Sequence, residues 1–190
     1  STFLEACVEM ILNLCEKNPE LLLNTVRSAF HGAPTDVTFE LLGPGNMIHD
    51  TALMLFDELI NRPPGTHLRM HARTSLFDGA ILIWLCGDTR TIRRDAWIQL
   101  SHIPETPPIG QQPPFGEQDY TTSIIVEDEP ASDTDLRTIM DYLEEWLPVT
   151  EIAGQRLLAQ DLRELGLLDG VDDTQTLARL FTQAANNALG

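Results

Sequence analysis

In the middle of the chain, segments whose hydrophobic residues have the spacing of β-strands alternate with segments that are rich enough in hydrophobic residues to be buried helices. Strands are predicted at residues 37–42, 68–72 and 97–103. Helices are predicted at residues 47–60 and 80–86, where apolar residues dominate. This order indicates strand–turn–helix units in succession and an α/β fold.

Two helices are predicted ahead of the first strand. Residues 2–16 place apolar side chains, Ile11 and Leu12 among them, on one face at helical spacing. Pro19 suits the first turn of a second helix, because its missing N–H has no helical partner there. We therefore expect residues 1–32 to form a helical N-terminal segment.

Proline and glycine are frequent just after residue 104, which predicts an irregular excursion. The later pattern predicts a strand at 121–127, a helix from 132 or 133 to 147, a short helix ending at Gly166 with extended chain after it, and a last helix at 174–188. The length suits a single domain over residues 1–190, with residues 172–190 as a C-terminal helix.

Charge and hydropathy narrow the range of partners. The formal net charge of −17 argues against nucleic acid and against an anionic membrane, because both would repel the chain. No run approaches the ~18 apolar residues that a membrane-spanning helix needs. The first residues show no secretory signal pattern, so we expect a cytoplasmic protein.

Cysteine and histidine spacing does not indicate a metal centre. Cys7, Cys15 and Cys86 form no CxxC pair, and reduced, packed thiols are expected. His67 and His71 have an i, i+4 spacing, but they lie on a predicted strand and no glutamate completes a zinc motif. We expect no metal ion and no cofactor.

The turn between the first predicted strand and helix has the composition of an anion site. Gly45 and Asn46 tolerate unusual backbone angles, and Met47 begins the apolar helix pattern. Backbone N–H groups at such a turn point outward without partners, and the helix dipole is positive there. The N–H groups of Asn46 and Met47 are therefore candidates for an oxyanion hole, and an ordinary strand-to-helix turn is the alternative.

Five motifs, in this order, resemble the proteolytic subunit of Clp proteases, within the Clp-crotonase superfamily. Gly43-Pro44-Gly45-Asn46 resembles the family's Ser-Pro-Gly-Gly oxyanion turn, and Leu55-Phe56-Asp57 its aliphatic-aromatic-Asp segment. Gly79-Ala80 is similar to the Gly-Ala after the nucleophilic serine, and the spacing to His102-Ile103-Pro104 matches the path to the family's His-Gln-Pro. Glu164-Leu165-Gly166-Leu167-Leu168-Asp169 resembles part of its closing helix.

The resemblance covers about residues 35–171. It implies a Clp-crotonase-like α/β fold of repeated strand-strand-helix units, here with additional N-terminal helices in place of the family's early strand. Members of the superfamily assemble as trimers, hexamers or heptameric rings, so a homo-oligomer is expected.

The implied catalytic positions depart from the family pattern. The nucleophile position is occupied by Phe77, which has no nucleophilic oxygen. Ser75 could replace it only if the turn carried two extra residues. His102 falls at the position of the family's histidine, and the family's aspartate would fall near Thr150, with Glu151 beside it.

Three functions stay open at this point. The first is a catalytically inactive Clp-protease-like protein that acts as an assembly or binding subunit, with a peptide or protein as ligand. The second is an atypical serine peptidase or esterase that uses Ser75, His102 and Glu151. The third is a crotonase-like binder of acyl thioesters whose oxyanion site is formed by Gly45, Asn46 and Met47.

Overall fold

The computed structural model describes residues 7–102 and 133–172. The elements in these two ranges are β1 (Cys7–Asn13), α1 (Pro19–Ala29), β2 (Asp36–Leu42), α2 (His49–Ile60), β3 (His67–Ala72), β4 (Leu76–Phe77), α3 (Gly79–Leu85), β5 (Thr89–Arg93), β6 (Trp97–Gln99), α4 (Asp133–Leu143), α5 (Val149–Ile152), β7 (Arg156–Leu158), α6 (Ala159–Glu164) and β8 (Gly170–Asp172).

The strands form two sheets. A five-stranded sheet has the order β1-β2-β3-β5-β8, and all of its neighbouring strands are parallel. A three-stranded sheet has the order β4-β6-β7, in which β4 and β6 are parallel and β6 and β7 antiparallel. The parallel strands need crossover connections, and helices α1, α2 and α3 supply them.

The core lies between the larger sheet and these helices. β2 alternates so that Val37, Phe39 and Leu41 are fully buried, while the residues between them are partly exposed. α2 buries Leu55 and Leu59 and packs against α1, α3 and α4. All seven residues of α3 are buried, so this helix has no solvent face.

The opposite face of the larger sheet is polar. His67 Nε2 lies 2.9 Å from Thr89 Oγ1, and His71 Nε2 lies 3.0 Å from Asp172 Oδ2. Both histidines are on β3, in agreement with the predicted strand. In the ranges that the structure describes, no group of three or more His, Cys, Asp or Glu side chains is placed to hold a metal ion.

The predicted helix at residues 2–16 is wrong for residues 7–13, which form β1. β1 pairs in parallel with β2, from Cys7 opposite Asp36 to Asn13 opposite Leu42. Apolar residues stand at both odd and even positions here, so the sequence fits either period, and pairing with a distant strand decides it. A strand therefore precedes α1, where a helix was predicted.

Other predictions agree with the structure or change at their ends. α1, β2, α2, β3 and α3 lie where they were predicted. Only residues 97–99 of the third predicted strand are β6, while β4, β5, α5 and β7 were not predicted. β5 was missed because its sequence, Thr-Arg-Thr-Ile-Arg, contains one buried apolar residue, Ile92. The predicted strand 121–127 and helix 174–188 lie outside the described residues.

The cysteines only partly match the expectation of packed thiols. Cys7 and Cys15 are exposed and Cys86 is buried, and all three are free. Burial raises the pKa of the Cys86 thiol to about 12, so it stays protonated.

Among the described helices, none is both long enough and apolar enough to cross a membrane.

The strand at β1 can be tested with two neighbouring truncations. Leu12 is fully buried and Ile11 is 57% exposed, although both belong to the apolar face of the predicted helix. Leu12→Ala should lower the free energy of unfolding by about 2–5 kcal/mol, whereas Ile11→Ala should cost under about 1 kcal/mol. Urea denaturation measures both, and equal losses would contradict the strand.

Candidate functional site

The turn before α2 is held against β4. The Phe77 N–H donates to the Gly45 carbonyl at 2.8 Å. A Cβ added to Gly45 would lie 1.7 Å from the Ser75 carbonyl oxygen, so glycine is required for this close approach. The contact brings the predicted oxyanion turn next to the turn that precedes α3.

The three predicted oxyanion residues differ in what their backbone groups contact. The Asn46 N–H donates to the Pro44 carbonyl at 2.5 Å, so it is already engaged. The Met47 N–H has no acceptor among the described residues, and the Met47 side chain is buried. Of the two predicted donors, Asn46 is therefore the one whose N–H is already engaged among the described residues.

Ser75 has a structural partner. Its Oγ accepts a hydrogen bond from the Trp97 N–H at 3.2 Å, at the first residue of β6. His102 lies beyond the last residue of the same strand, Gln99. Within residues 7–102 and 133–172, no hydrogen bond joins Ser75 to His102.

His102 packs against the turn that follows α5. A Cβ on Gly154 would lie 2.2 Å from His102 Nε2, and Gly154 has φ +78°. The Gly154 N–H donates to the Leu100 carbonyl at 2.8 Å, which holds the turn against the end of β6. Glu151 lies in α5 and is exposed, and in the described part of the chain its carboxylate makes no hydrogen bond to His102.

The nucleophile position of the resemblance is occupied by a half-buried Phe77 in β4, opposite Gln99 of β6. The candidate catalytic residues Ser75, His102 and Glu151 share no hydrogen-bond network in the ranges described. This geometry does not supply the contact between nucleophile and base on which acyl transfer depends.

The structure brings together a polar cluster that the sequence did not indicate, made of the buried Asp78, the partly buried His49 and the exposed Ser101. The Asp78 carboxylate accepts two hydrogen bonds from Ser101, from its N–H at 2.7 Å and from its hydroxyl at 2.6 Å. His49 Nε2 lies 3.9 Å from Asp78 Oδ2. The three residues lie on separate elements, and the only sequence signal is an acidic residue directly before Gly79.

Comparison with known proteins supports the fold and no closer relationship. No protein-family model matches the sequence, and no curated protein matches it. Solved structures do match. The ClpP protease catalytic domain from Plasmodium falciparum superposes with a TM-score of 0.59 at 12% identity, over 88% of this chain and 84% of that one. An enoyl-CoA hydratase from Shewanella pealeana gives a TM-score of 0.60 at 13% identity, over 93% and 69%.

The chain has the Clp-crotonase fold. ClpP1 from Listeria monocytogenes has the same architecture, with a TM-score of 0.56 at 11% identity over 87% of this chain and 90% of that one. The predicted fold class is confirmed. At these identities the similarity concerns the fold alone, and the protease and the hydratase fit it equally well.

The contact between His102 and Gly154 can be tested with a matched glycine. Gly154→Ala places a side chain at positive φ and against the imidazole, whereas a Cβ added to Gly166, at φ +71°, would have no neighbour within 4 Å. We expect Gly166→Ala to cost about 1 kcal/mol of stability, and Gly154→Ala at least about 1 kcal/mol more. Adding His102→Ala to Gly154→Ala should recover the difference in chemical denaturation. Equal losses from the two glycine variants would contradict the contact.

Proposed function

We propose that this chain is a Clp-crotonase-fold protein without serine-peptidase catalysis, which acts as an assembly or binding subunit. The observation that carries the proposal is the hydrogen bond from the Trp97 N–H to Ser75 Oγ, at the far end of β6 from His102. Phe77 at the nucleophile position supports it, since a phenyl ring cannot form an acyl-enzyme.

A role in assembly fits the exposed apolar side chains of the first two helices. Leu21 of α1 is 53% exposed, and Ile60 at the end of α2 is 51% exposed. Such residues can supply contacts between subunits of a homo-oligomer, or contacts to a peptide or protein ligand. Light scattering of the purified chain gives the oligomeric state, and a monomer at micromolar concentration would count against the assembly role.

The absence of serine catalysis can be tested with a fluorophosphonate probe, which labels activated serines. We expect no labelling of Ser75. Ser75→Ala should instead lower stability by about 1–3 kcal/mol, because the Trp97 N–H loses its acceptor. Ser28→Ala, at an exposed hydroxyl on α1, is the matched control and should change stability by less than about 0.5 kcal/mol.

The alternative of an atypical peptidase or esterase needs Ser75, His102 and Glu151 to meet. Labelling of the wild-type protein that disappears in Ser75→Ala, together with loss of peptide or ester hydrolysis, would favour that alternative. A peptidase of this kind would also have to release Ser75 Oγ from the Trp97 N–H.

A second candidate function is the binding of an acyl thioester. The specific observation is the Met47 N–H, which has no acceptor among the described residues at the predicted oxyanion turn. A thioester carbonyl is an acceptor that such a donor can bind. The similarity in fold to an enoyl-CoA hydratase is consistent with this candidate.

Acyl-thioester binding predicts stabilisation by ligand. Octanoyl-CoA should raise the melting temperature more than coenzyme A alone, because only the acylated form carries the thioester carbonyl that the Met47 N–H would bind. At a ligand concentration of 100 times the dissociation constant, binding should raise the free energy of unfolding by about 2.7 kcal/mol. Thermal unfolding with increasing octanoyl-CoA measures the effect, and no shift at millimolar ligand would count against the candidate.

A further inference from the structure

The outer edge of β1 presents backbone groups that have no hydrogen-bond partner in the described ranges. The Leu14 N–H, one residue after the strand, donates to the Leu42 carbonyl at the end of β2. Successive backbone groups of a strand point to opposite sides, so those of the odd-numbered residues of β1 point away from β2. At Cys7, Glu9 and Ile11, these groups make no hydrogen bond to any described residue. β1 therefore ends the larger sheet with an open edge.

β1 lacks the features that ordinarily protect an edge strand. Protected edge strands are very short, contain lysine or proline, or are interrupted by a bulge. β1 has seven residues without lysine or proline, and Glu9 is its only charged residue. Its register with β2 runs from Cys7 to Asn13 without a bulge. At the opposite edge of the same sheet β8 has three residues, so β1 is the edge strand with the length to pair further.

Both faces of β1 carry apolar side chains that an additional strand would cover. Ile11 is 57% exposed, on the face away from the helices. Val8 and Met10 point to the helix side and pack against the core, but they are only partly buried. An exposed apolar edge of this kind is a template for pairing with another chain.

We propose that β1 pairs antiparallel with β1 of a second copy of this chain, so that the two five-stranded sheets become one continuous sheet in a homodimer. Two identical strands related by a twofold axis through the sheet run antiparallel, and such an interface is complete with two copies. The inference rests on the assembly role proposed above and specifies the surface that performs it.

Charge and strand length argue against two of the possible registers. Hydrogen bonds across the edge join residues whose backbone groups point outward, so odd-numbered residues face odd-numbered ones. A register centred on Glu9 places the two Glu9 carboxylates directly opposite each other, which is unfavourable. A register centred on Ile11 leaves Cys7 beyond the end of the second strand.

The register centred on Met10 avoids both faults. It places Glu9 opposite Ile11 of the second copy, so that each Ile11 is covered without opposing like charges. Cys7 then lies opposite Asn13 of the second copy. On the helix side of the sheet, the two Met10 side chains meet at the axis as a non-hydrogen-bonded pair, in which side chains are closest.

Helix α1 adds an apolar side chain at the same edge. Arg27 of α1 donates a hydrogen bond to Glu58 of α2, so this side of α1 faces α2. Leu21 lies about 120° around the helix from Arg27, faces away from α2, and is 53% exposed. Since α1 also packs on β1, Leu21 lies on the side from which α1 of the second copy would approach.

Charge substitutions at residue 11 test the register through the dimer dissociation constant, measured by sedimentation equilibrium. Ile11→Glu places a carboxylate opposite Glu9 of the second copy, twice per dimer, and should weaken dimerisation by about tenfold or more. Ile11→Lys places an opposite charge there and should dimerise at least about tenfold more tightly than Ile11→Glu. Ile48→Glu is the matched control, because Ile48 is also 57% exposed but lies outside β1, and it should leave the dissociation constant unchanged.

Disulfide cross-linking tests the same register independently of affinity. Cys15→Ser removes the other exposed thiol, and Asn13→Cys then places a thiol opposite Cys7 of the second copy. Such opposed residues have Cα atoms about 5.5 Å apart, within the range of a disulfide. Mild oxidation should give a covalent dimer on a non-reducing gel. Adding Cys7→Ser should abolish it, and Thr150→Cys in place of Asn13→Cys, at an exposed residue of α5, should give none.

The β1 interface and the assembly role can fail separately. An oligomer that Ile11→Glu and Ile11→Lys weaken equally, or that gives no cross-link dependent on Cys7, would overturn the β1 interface and leave assembly through another surface. A wild-type chain that is monomeric at micromolar concentration would overturn the interface together with the assembly role. Circular dichroism checks that each variant is folded, and should Ile11→Glu fold poorly, the cross-link decides.

Discussion

The approach of Gly45 to the Ser75 carbonyl is the constraint on which the arrangement of this protein depends. It joins the turn that ends the first strand–turn–helix unit to the short strand β4 that begins the second. Any side chain at residue 45 would separate the two turns, because its first carbon would overlap a backbone oxygen. With the turns in contact, the first residue of α2 and the residue before α3 face each other, and His49 meets Asp78.

Much of the fold could be predicted from local pattern, and the exceptions have physical reasons. β2, β3 and α2 have clear periods because each buries one face against a core. β1 has apolar residues on both faces, so its local pattern does not distinguish a strand from a helix. Its pairing with β2, which is distant in sequence, makes it a strand. β5 is stabilised by pairing with its two neighbours in the sheet, β3 and β8. Its mostly polar sequence has no alternation of apolar residues from which a strand could be predicted.

The site was less predictable than the fold. Spacing along the chain placed Ser75, His102 and Glu151 near a family pattern, but spacing does not report which way a side chain points. The structure shows, for example, that Ser75 Oγ points toward the Trp97 N–H and accepts its hydrogen bond. The contact between Asp78 and Ser101 joins residues 23 positions apart, and no motif marks it. Contacts between residues that are distant in sequence can be identified only when the three-dimensional structure is known.

The complete burial of α3 has a consequence for how this helix is stabilised. A seven-residue helix is far shorter than the ~12–15 residues that an isolated helix needs, and this one has no polar face of its own. It gains its stability from packing against α2, α4, β3 and β4, so it forms cooperatively with those surfaces. The strained Asp78 at its start is held in place only by that shared packing. A substitution that loosens any one of these surfaces should therefore also release the backbone at Asp78.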